Sequence, residues 1–143
     1  MFHLRHIGIV AKGDIEVLKN FYKALINPYR IQEQIEEGEN IDKIVGIKKI
    51  KLKTCKLFSQ SVNIEIIQYL NPEIEINFNR LPSFSGINHI AFTVDNFEEA
   101  KNTIISNGGS CEKENSIEQQ SGSVKYVKYL RDPENNILEI VEV

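Results

Sequence analysis

Two histidines and two glutamates occupy matching positions in the two halves of this 143-residue sequence. His6 opens the apolar stretch HIGIV, and His89 opens HIAFTV. Glu65 lies in NIEII, and Glu139 lies in NILEIV near the C-terminus. Imidazole nitrogens and carboxylate oxygens are ligands for divalent transition metals. The pattern therefore predicts that His6, Glu65, His89 and Glu139 hold one divalent ion, namely Zn, Ni, Co, Mn or Fe.

The neighbours of these residues favour a metal site over ordinary packing. Side chains alternate between the two faces of a strand, so His6 shares its face with Gly8, and His89 with Ala91. These small residues leave room beside each imidazole. Glu65 and Glu139 lie among apolar neighbours, where an ionised carboxylate is costly unless it is paired or coordinated. A single core histidine or strand glutamate would be ordinary, but the repeated combination indicates a site.

The predicted elements that position the four residues also occur twice. Each histidine strand is followed by a polar residue suited to begin a helix, Asp14 or Asn96. Apolar residues at three- and four-residue spacings predict a helix after each, ending at 27–28 and 107–109. Three strand-like segments follow in each half, at 29–36, 47–57 and 62–70, and at 110–117, 124–130 and 137–143. Segments 36–42 and 118–123 are predicted connecting loops.

The repeat predicts a duplicated module within one domain. We expect a single domain over 1–143, with module 1 at 1–70, a connector at 71–86 and module 2 at 87–143. The connector is marked by Pro72 and Pro82 and by two serines. Each module has the order strand, helix and three strands.

Composition excludes several other classes of function. The net charge of -3 leaves no basic excess for nucleic acid, and the lysine-rich stretch 48–53 is interpreted as a strand with one solvated face. No apolar run approaches the ~20 residues that span a bilayer. The first residues lack the features of a secretory signal, and Cys55 and Cys111 form no metal or redox motif. We therefore expect a cytoplasmic protein with two idle thiols, although a catalytic thiol is an alternative.

These motifs resemble the vicinal oxygen chelate superfamily, also called the glyoxalase/bleomycin resistance/dioxygenase group. The resemblance rests on RHIGIV, FYKAL, NIEIIQYLNP, INHIAFTVDNFEEA and YLRDPENNILEIVE, which together cover essentially the whole chain. It implies an α+β fold of two tandem βαβββ modules that form a U-shaped, partly closed mixed sheet around a central cleft. It also implies a homodimer, a small-molecule substrate, and metal ligands at His6, Glu65, His89 and Glu139.

Within the superfamily the sequence is most similar to glyoxalase I (lactoylglutathione lyase) and methylmalonyl-CoA epimerase relatives. The implied activity is that of a metal-dependent lyase or isomerase, which transfers a proton next to the carbonyl of a small thiol adduct or an acyl-CoA. Glu65 or Glu139 would carry the proton. The basic residues that grip glutathione in glyoxalase I have no matching motif here, and Arg5 and Arg30 are candidates for that role.

The alternative is a non-catalytic binding protein of the bleomycin-resistance type, which sequesters a drug or metabolite. Aromatic residues on the predicted strands are candidates to line its pocket, although such residues also form cores. They are Tyr69, Tyr126, Tyr129 and Phe92.

Overall fold

The computed structural model of the protein describes residues 1–76, 81–111, 117–118 and 123–143. The chain forms two compact units, Met1–Ile76 and Asn77–Val143. Each unit contains one four-stranded sheet of mixed strand direction. The predicted α+β class is therefore confirmed.

Unit 1 follows the predicted order of strand, helix and three strands, with one additional short helix. Its sheet has the order β1-β4-β3-β2, in which β1 is parallel to β4 and the other pairs are antiparallel. The first helix packs on β3 and β4 through an apolar side that is fully buried at Leu18 and Phe21. The elements are β1 (Ile7–Val10), α1 (Ile15–Ile26), β2 (Arg30–Glu37), α2 (Glu39–Val45), β3 (Lys51–Phe58) and β4 (Ile64–Asn71).

Unit 2 repeats this topology. Its sheet has the order β5-β8-β7-β6, and β5 is parallel to β8 as β1 is to β4. Its helix packs on β7 and β8 and buries Phe97 and Ile104. The elements are β5 (His89–Val94), α3 (Phe97–Ser106), β6 (Ile117–Glu118), β7 (Tyr126–Arg131) and β8 (Ile137–Glu142).

The two long helices begin in the same way, which confirms the predicted repeat at atomic detail. The side chain of Asp14 accepts a hydrogen bond from the N–H two residues later, and Asn96 from the N–H three residues later, both at 3.0 Å. The first helical N–H then donates to a side chain of the last strand. This acceptor is Gln68 Oε1 at 3.3 Å in unit 1 and Glu142 Oε2 at 2.8 Å in unit 2. Each helix start is thus tied to its own sheet.

The structure differs from the sequence prediction between β2 and β3. The segment 36–42 was expected to be a loop, but it contains the end of β2 and the start of α2. The following strand begins at Lys51 rather than at 47. Both backbone N–H groups before it, at Lys49 and Ile50, donate to the Asp42 carboxylate at 2.8 and 2.9 Å. Because these groups bind a side chain, they do not join the sheet ladder.

Three predicted segments fall partly outside the described residues. In the predicted strand 110–117, Ser110 forms an isolated bridge with Arg131, Ile117–Glu118 form β6, and residues 112–116 lie outside the description. Residues 119–122 of the predicted loop and 77–80 of the predicted connector also lie outside the description. Among the helices of the described ranges, none combines the length and hydropathy needed to cross a bilayer.

Candidate metal centre

In unit 1 the structure brings His6 into contact with Glu65. The Nε2 atom of His6 lies 2.9 Å from Glu65 Oε2. His6 directly precedes β1, and Glu65 in β4 is the cross-strand partner of Gly8, two residues after the histidine. The Glu65 side chain is 13% exposed and that of His6 is 34% exposed. A partly buried carboxylate thus meets an imidazole that solvent can reach; we call His6 and Glu65 the first pair.

Unit 2 contains an equivalent second pair, His89 and Glu139. Here Nε2 lies 2.8 Å from Glu139 Oε2, and Glu139 is the cross-strand partner of Ala91, again two residues after the histidine. The Nδ1 atom of His89 lies 3.1 Å from Asn88 Oδ1. An N–H at Nδ1 can donate to that amide oxygen, which leaves the Nε2 lone pair for a metal.

The spacing of each pair fits ligands of a single cation. Two atoms bound at about 2.0–2.2 Å and at right angles around an ion lie about 3 Å apart. The observed separations of 2.9 and 2.8 Å agree with this value. They are also normal for an imidazole that donates to a carboxylate. The distance in each pair therefore fits either a hydrogen bond or joint binding of one metal ion.

Open space adjoins both pairs. A Cβ atom added to Gly8 would meet only the Ile67 Cδ1 atom, at 4.0 Å. Gly8 and Ala91 are both exposed, as the alternation of small residues beside the histidines predicted. A ligand can therefore approach each pair from the sheet face that carries it.

Each unit by itself supplies two of the four predicted ligands. Within residues 1–76, 81–111 and 123–143, no group of three or more histidine, cysteine, aspartate or glutamate side chains gathers in the arrangement of a metal site. A structural metal site in a protein usually has four protein ligands and a catalytic site three. That His6, Glu65, His89 and Glu139 share one ion therefore stays a prediction.

The structure adds a residue that sequence analysis missed. Lys56 in β3 is the cross-strand partner of Glu65, and its Nζ atom lies 3.3 Å from Glu65 Oε1. In unit 2 the equivalent partner of Glu139 is Tyr129, whose ring centroid lies 5.1 Å from that of His89. Finding Lys56 and Tyr129 from the sequence would have required the register of each strand against its neighbour. The alternation of apolar residues gives the face of a strand that is buried but does not fix this register.

The aromatic residues suggested for a pocket do not share one face. Tyr129 lies beside the second pair, but Tyr126 stacks on Phe97 of α3 at 5.9 Å and so belongs to the helix side of its sheet. Phe92 alternates with the residues on the histidine face of β5, so it too points toward the helix side. Tyr126 and Phe92 are both half-buried on that side, away from the face that carries the second pair.

Arg5 and Arg30, the two candidates for binding glutathione, also differ in position. The Arg30 guanidinium lies 3.9 Å from the centre of the Phe58 ring, a cation–π contact on the same face of the sheet as Lys56. For Arg5, the backbone carbonyl accepts a hydrogen bond from Asn63 Nδ2 at 3.1 Å. The Arg30 guanidinium thus lies on the sheet face of the first pair.

The thiol alternative is weakened by the surroundings of Cys55. This side chain is fully buried, and burial raises the pKa of its thiol to about 11. At neutral pH the thiol is protonated, and the thiolate is the form that acts as nucleophile. Cys111 is partly exposed.

Comparison with known proteins defines the family. The model for the "Glyoxalase/Bleomycin resistance protein/Dioxygenase superfamily" matches residues 5–127. The chain therefore belongs to this superfamily, as the sequence motifs predicted. No curated protein matches the chain significantly.

Solved structures share the fold at low sequence identity. A glyoxalase family protein from Bacillus cereus has a TM-score of 0.83 at 16% identity, with 99% of this chain and 94% of that chain covered. A glyoxalase family protein from Enterococcus faecalis has a TM-score of 0.63 at 21% identity, with 98% and 97% covered. The genomically encoded fosfomycin resistance protein FosX from Listeria monocytogenes has a TM-score of 0.58 at 19% identity, with 100% and 92% covered.

Proposed function

We propose that this protein is a metal-dependent lyase or isomerase of the glyoxalase type. In this proposal His6, Glu65, His89 and Glu139 bind one divalent ion, which is Zn, Ni, Co, Mn or Fe. The observation that carries the proposal is the duplicated imidazole–carboxylate contact, at 2.9 Å in unit 1 and 2.8 Å in unit 2, at the same register position. Sharing of the ion by both pairs is inferred from the family resemblance, and the local geometry supports each pair by itself.

The proposed reaction moves a proton next to a carbonyl group. When bound, the cation stabilises the negative charge that develops on a substrate oxygen as the proton leaves the neighbouring carbon. Glu65 or Glu139 accepts the proton and returns it to the adjacent carbon, or to the other face of the same carbon. No oxidant or reductant is consumed. The substrate class is a small thiol adduct of an oxoaldehyde or an acyl-CoA.

The geometry gives the two glutamates different surroundings for this role. Both oxygens of Glu65 have a partner, since Oε2 meets His6 and Oε1 meets Lys56. Glu139 meets His89 through Oε2, and no partner for its Oε1 is found among the described residues. Glu139 is also more exposed, at 25% against 13% for Glu65. A substrate can therefore approach a carboxylate oxygen of Glu139 more readily.

The second candidate is a binding protein that sequesters a drug or metabolite without turnover. One observation favours keeping it: the Tyr129 ring, whose centroid lies 5.1 Å from that of His89, offers a surface for a planar ligand. In this case binding would not require a metal. Turnover and a requirement for metal therefore separate the two candidates.

The decisive experiment uses protein purified without a histidine tag. It is stripped with a chelator, reloaded with each candidate ion, and assayed with methylglyoxal–thiol adducts and with methylmalonyl-CoA. Turnover that appears only after reloading, and is lost in Glu139→Gln, supports the enzyme. Absence of turnover, together with tight binding of a planar drug by the stripped protein, would replace it with the binding function.

The proposal includes a homodimer that uses a small-molecule substrate and binds neither nucleic acid nor membranes. The family resemblance implies the dimer, and light scattering coupled to size-exclusion chromatography measures the mass directly. We expect about twice the 16.4 kDa of one chain. A mass of one chain at micromolar concentration would contradict this part of the proposal.

A further inference from the structure

The two pairs differ in the residue that stands across the strand from the glutamate. In unit 1 that residue is Lys56, whose ammonium lies 3.3 Å from Glu65 Oε1. In unit 2 it is Tyr129, which has no cationic group. The glutamate has the same register relative to the histidine strand in both units, so only one of the two equivalent positions across from it carries a positive charge.

We infer that Lys56 is a built-in counter-cation of Glu65, and that it lowers the affinity of the site for a divalent metal ion. This inference rests on the proposed metal site. In this inference Lys56 does not bind the ion itself: it acts through its contact with Glu65 and through its own charge.

Competition for Glu65 is the first reason. A carboxylate binds a cation most strongly when both oxygens are available, but here Oε1 faces the Lys56 ammonium and Oε2 faces His6. A metal that takes Oε2 must share the carboxylate charge with the lysine. A metal that takes both oxygens must displace the ammonium. In the second pair, only Oε2 of Glu139 has a partner within the described residues.

Direct repulsion is the second reason. A divalent ion bound to Glu65 lies within several ångströms of the Lys56 ammonium, which is 3.3 Å from the same carboxylate. The single negative charge of Glu65 must then offset both cations. The lysine is 32% exposed, so water screens part of this repulsion. A unit charge about 6 Å from a divalent ion in a water-like dielectric changes the binding constant by about tenfold.

An orienting role for Lys56 would predict the opposite effect. Residues that hydrogen-bond to a metal-binding carboxylate often raise the metal affinity, and their removal then weakens binding by about 10–100-fold. Glu65 is already oriented by His6 at 2.9 Å, and the lysine contact is longer, at 3.3 Å. A flexible lysine stem therefore adds little orientation, and its charge dominates.

The test compares Lys56→Met with Lys53→Met in the full-length protein. Lys53 lies on the same strand, is equally exposed at 30%, and alternates to the opposite face, where its Nζ is 3.6 Å from Glu16 Oε1. Both variants remove one positive charge and keep the length of the stem. Calorimetric titration with zinc and with nickel gives the affinity of the wild type and of each variant.

The expected result is about tenfold tighter metal binding by K56M, with less than a twofold change in K53M. Unchanged or weaker binding by K56M, when the wild type binds metal, overturns the inference and leaves the proposed function standing. An equal gain in K53M also overturns it, since the effect would then follow net charge. If no form binds metal, both the proposed function and the inference fail.

Thermal unfolding provides a second readout that does not need activity. Without metal, K56M is expected to unfold no higher than the wild type, because Glu65 has lost a partner. With saturating metal, the increase in melting temperature is expected to be larger in K56M than in the wild type. An equal increase in both proteins would count against the inference.

Discussion

Replacing Gly8 by valine separates the candidate site from the fold. Gly8 lies in β1 as the cross-strand partner of Glu65, and it is exposed on the face of the first pair. An added Cβ would meet only Ile67 Cδ1, at 4.0 Å, which is ordinary van der Waals contact. The fold therefore has room for a Cβ at this position, and the valine methyl groups would fill space beside His6 and Glu65.

The G8V substitution is expected to leave the melting temperature unchanged or slightly raised and to lower kcat/KM. A glycine in a strand costs roughly 0.5–1 kcal/mol relative to alanine, so G8V is expected to unfold at the same or a slightly higher temperature, by about 1–4 °C. A substrate displaced by about 1 Å from its reactive position loses about a hundredfold in rate, so kcat/KM of the metal-loaded variant is expected to fall by that factor.

The assay pairs thermal unfolding with turnover, and Gly13→Val is the matched control. Gly13 lies between β1 and α1, and a Cβ there meets no atom within 4 Å. We expect G13V to retain kcat/KM within a factor of two. Wild-type turnover in G8V would refute the claim that substrate binds on this face, and a large loss of stability would refute the statement that the space is open.

Two further predictions concern stability. Thr54 is buried, and its hydroxyl has no hydrogen-bond partner among the described residues. Thr54→Val is therefore expected to raise the free energy of unfolding, measured by chemical denaturation, by about 1 kcal/mol. A decrease would show that the hydroxyl has a partner. Lys19 joins α1 to β2 through contacts of 2.6 Å to both Glu16 and Glu33, and Lys19→Met is expected to cost about 1 kcal/mol at pH 7 after solvent screening. Because the hydrogen bond from Lys19 lowers the pKa of Glu33 from its ordinary 4.5, this stability is present above that value and is lost as the pH falls through the lowered pKa. The difference between wild type and K19M should therefore shrink in acid, and a constant difference from pH 7 to pH 3 would contradict the assignment.

The convergence of His6, Glu65, His89 and Glu139 on one ion was predicted from the sequence, and it stays a prediction. Alternation along a strand gives the neighbours that share a face with each residue, but it does not give the contact between the histidine and the glutamate of one unit. The structure shows that contact, at 2.9 Å in the first pair and 2.8 Å in the second. The helix starts at Asp14 and Asn96 were also predictable, since capping depends on local residue types.

The features that were not predicted depend on register and on short local contacts. The helix α2 has no buried residue and a glycine N-cap, so it lacks the apolar spacing and the capping side chain that mark a helix in sequence. The late start of β3 depends on Asp42, whose contacts with two later backbone N–H groups are not visible in a pattern of apolar residues. The contact between Lys56 and Glu65 requires the exact alignment of β3 with β4, which includes an irregularity at Lys51/Leu52.

The central claim is tested most directly by the metal content of untagged protein and of the variants His6→Ala and His89→Ala. Elemental analysis is expected to find about one divalent ion per chain in the wild type and almost none in either variant, while circular dichroism shows both variants folded. Loss in both variants is required, because the proposal assigns one ion to ligands from both units. Wild-type protein without metal after reloading, or variants that keep the full amount, would contradict the account.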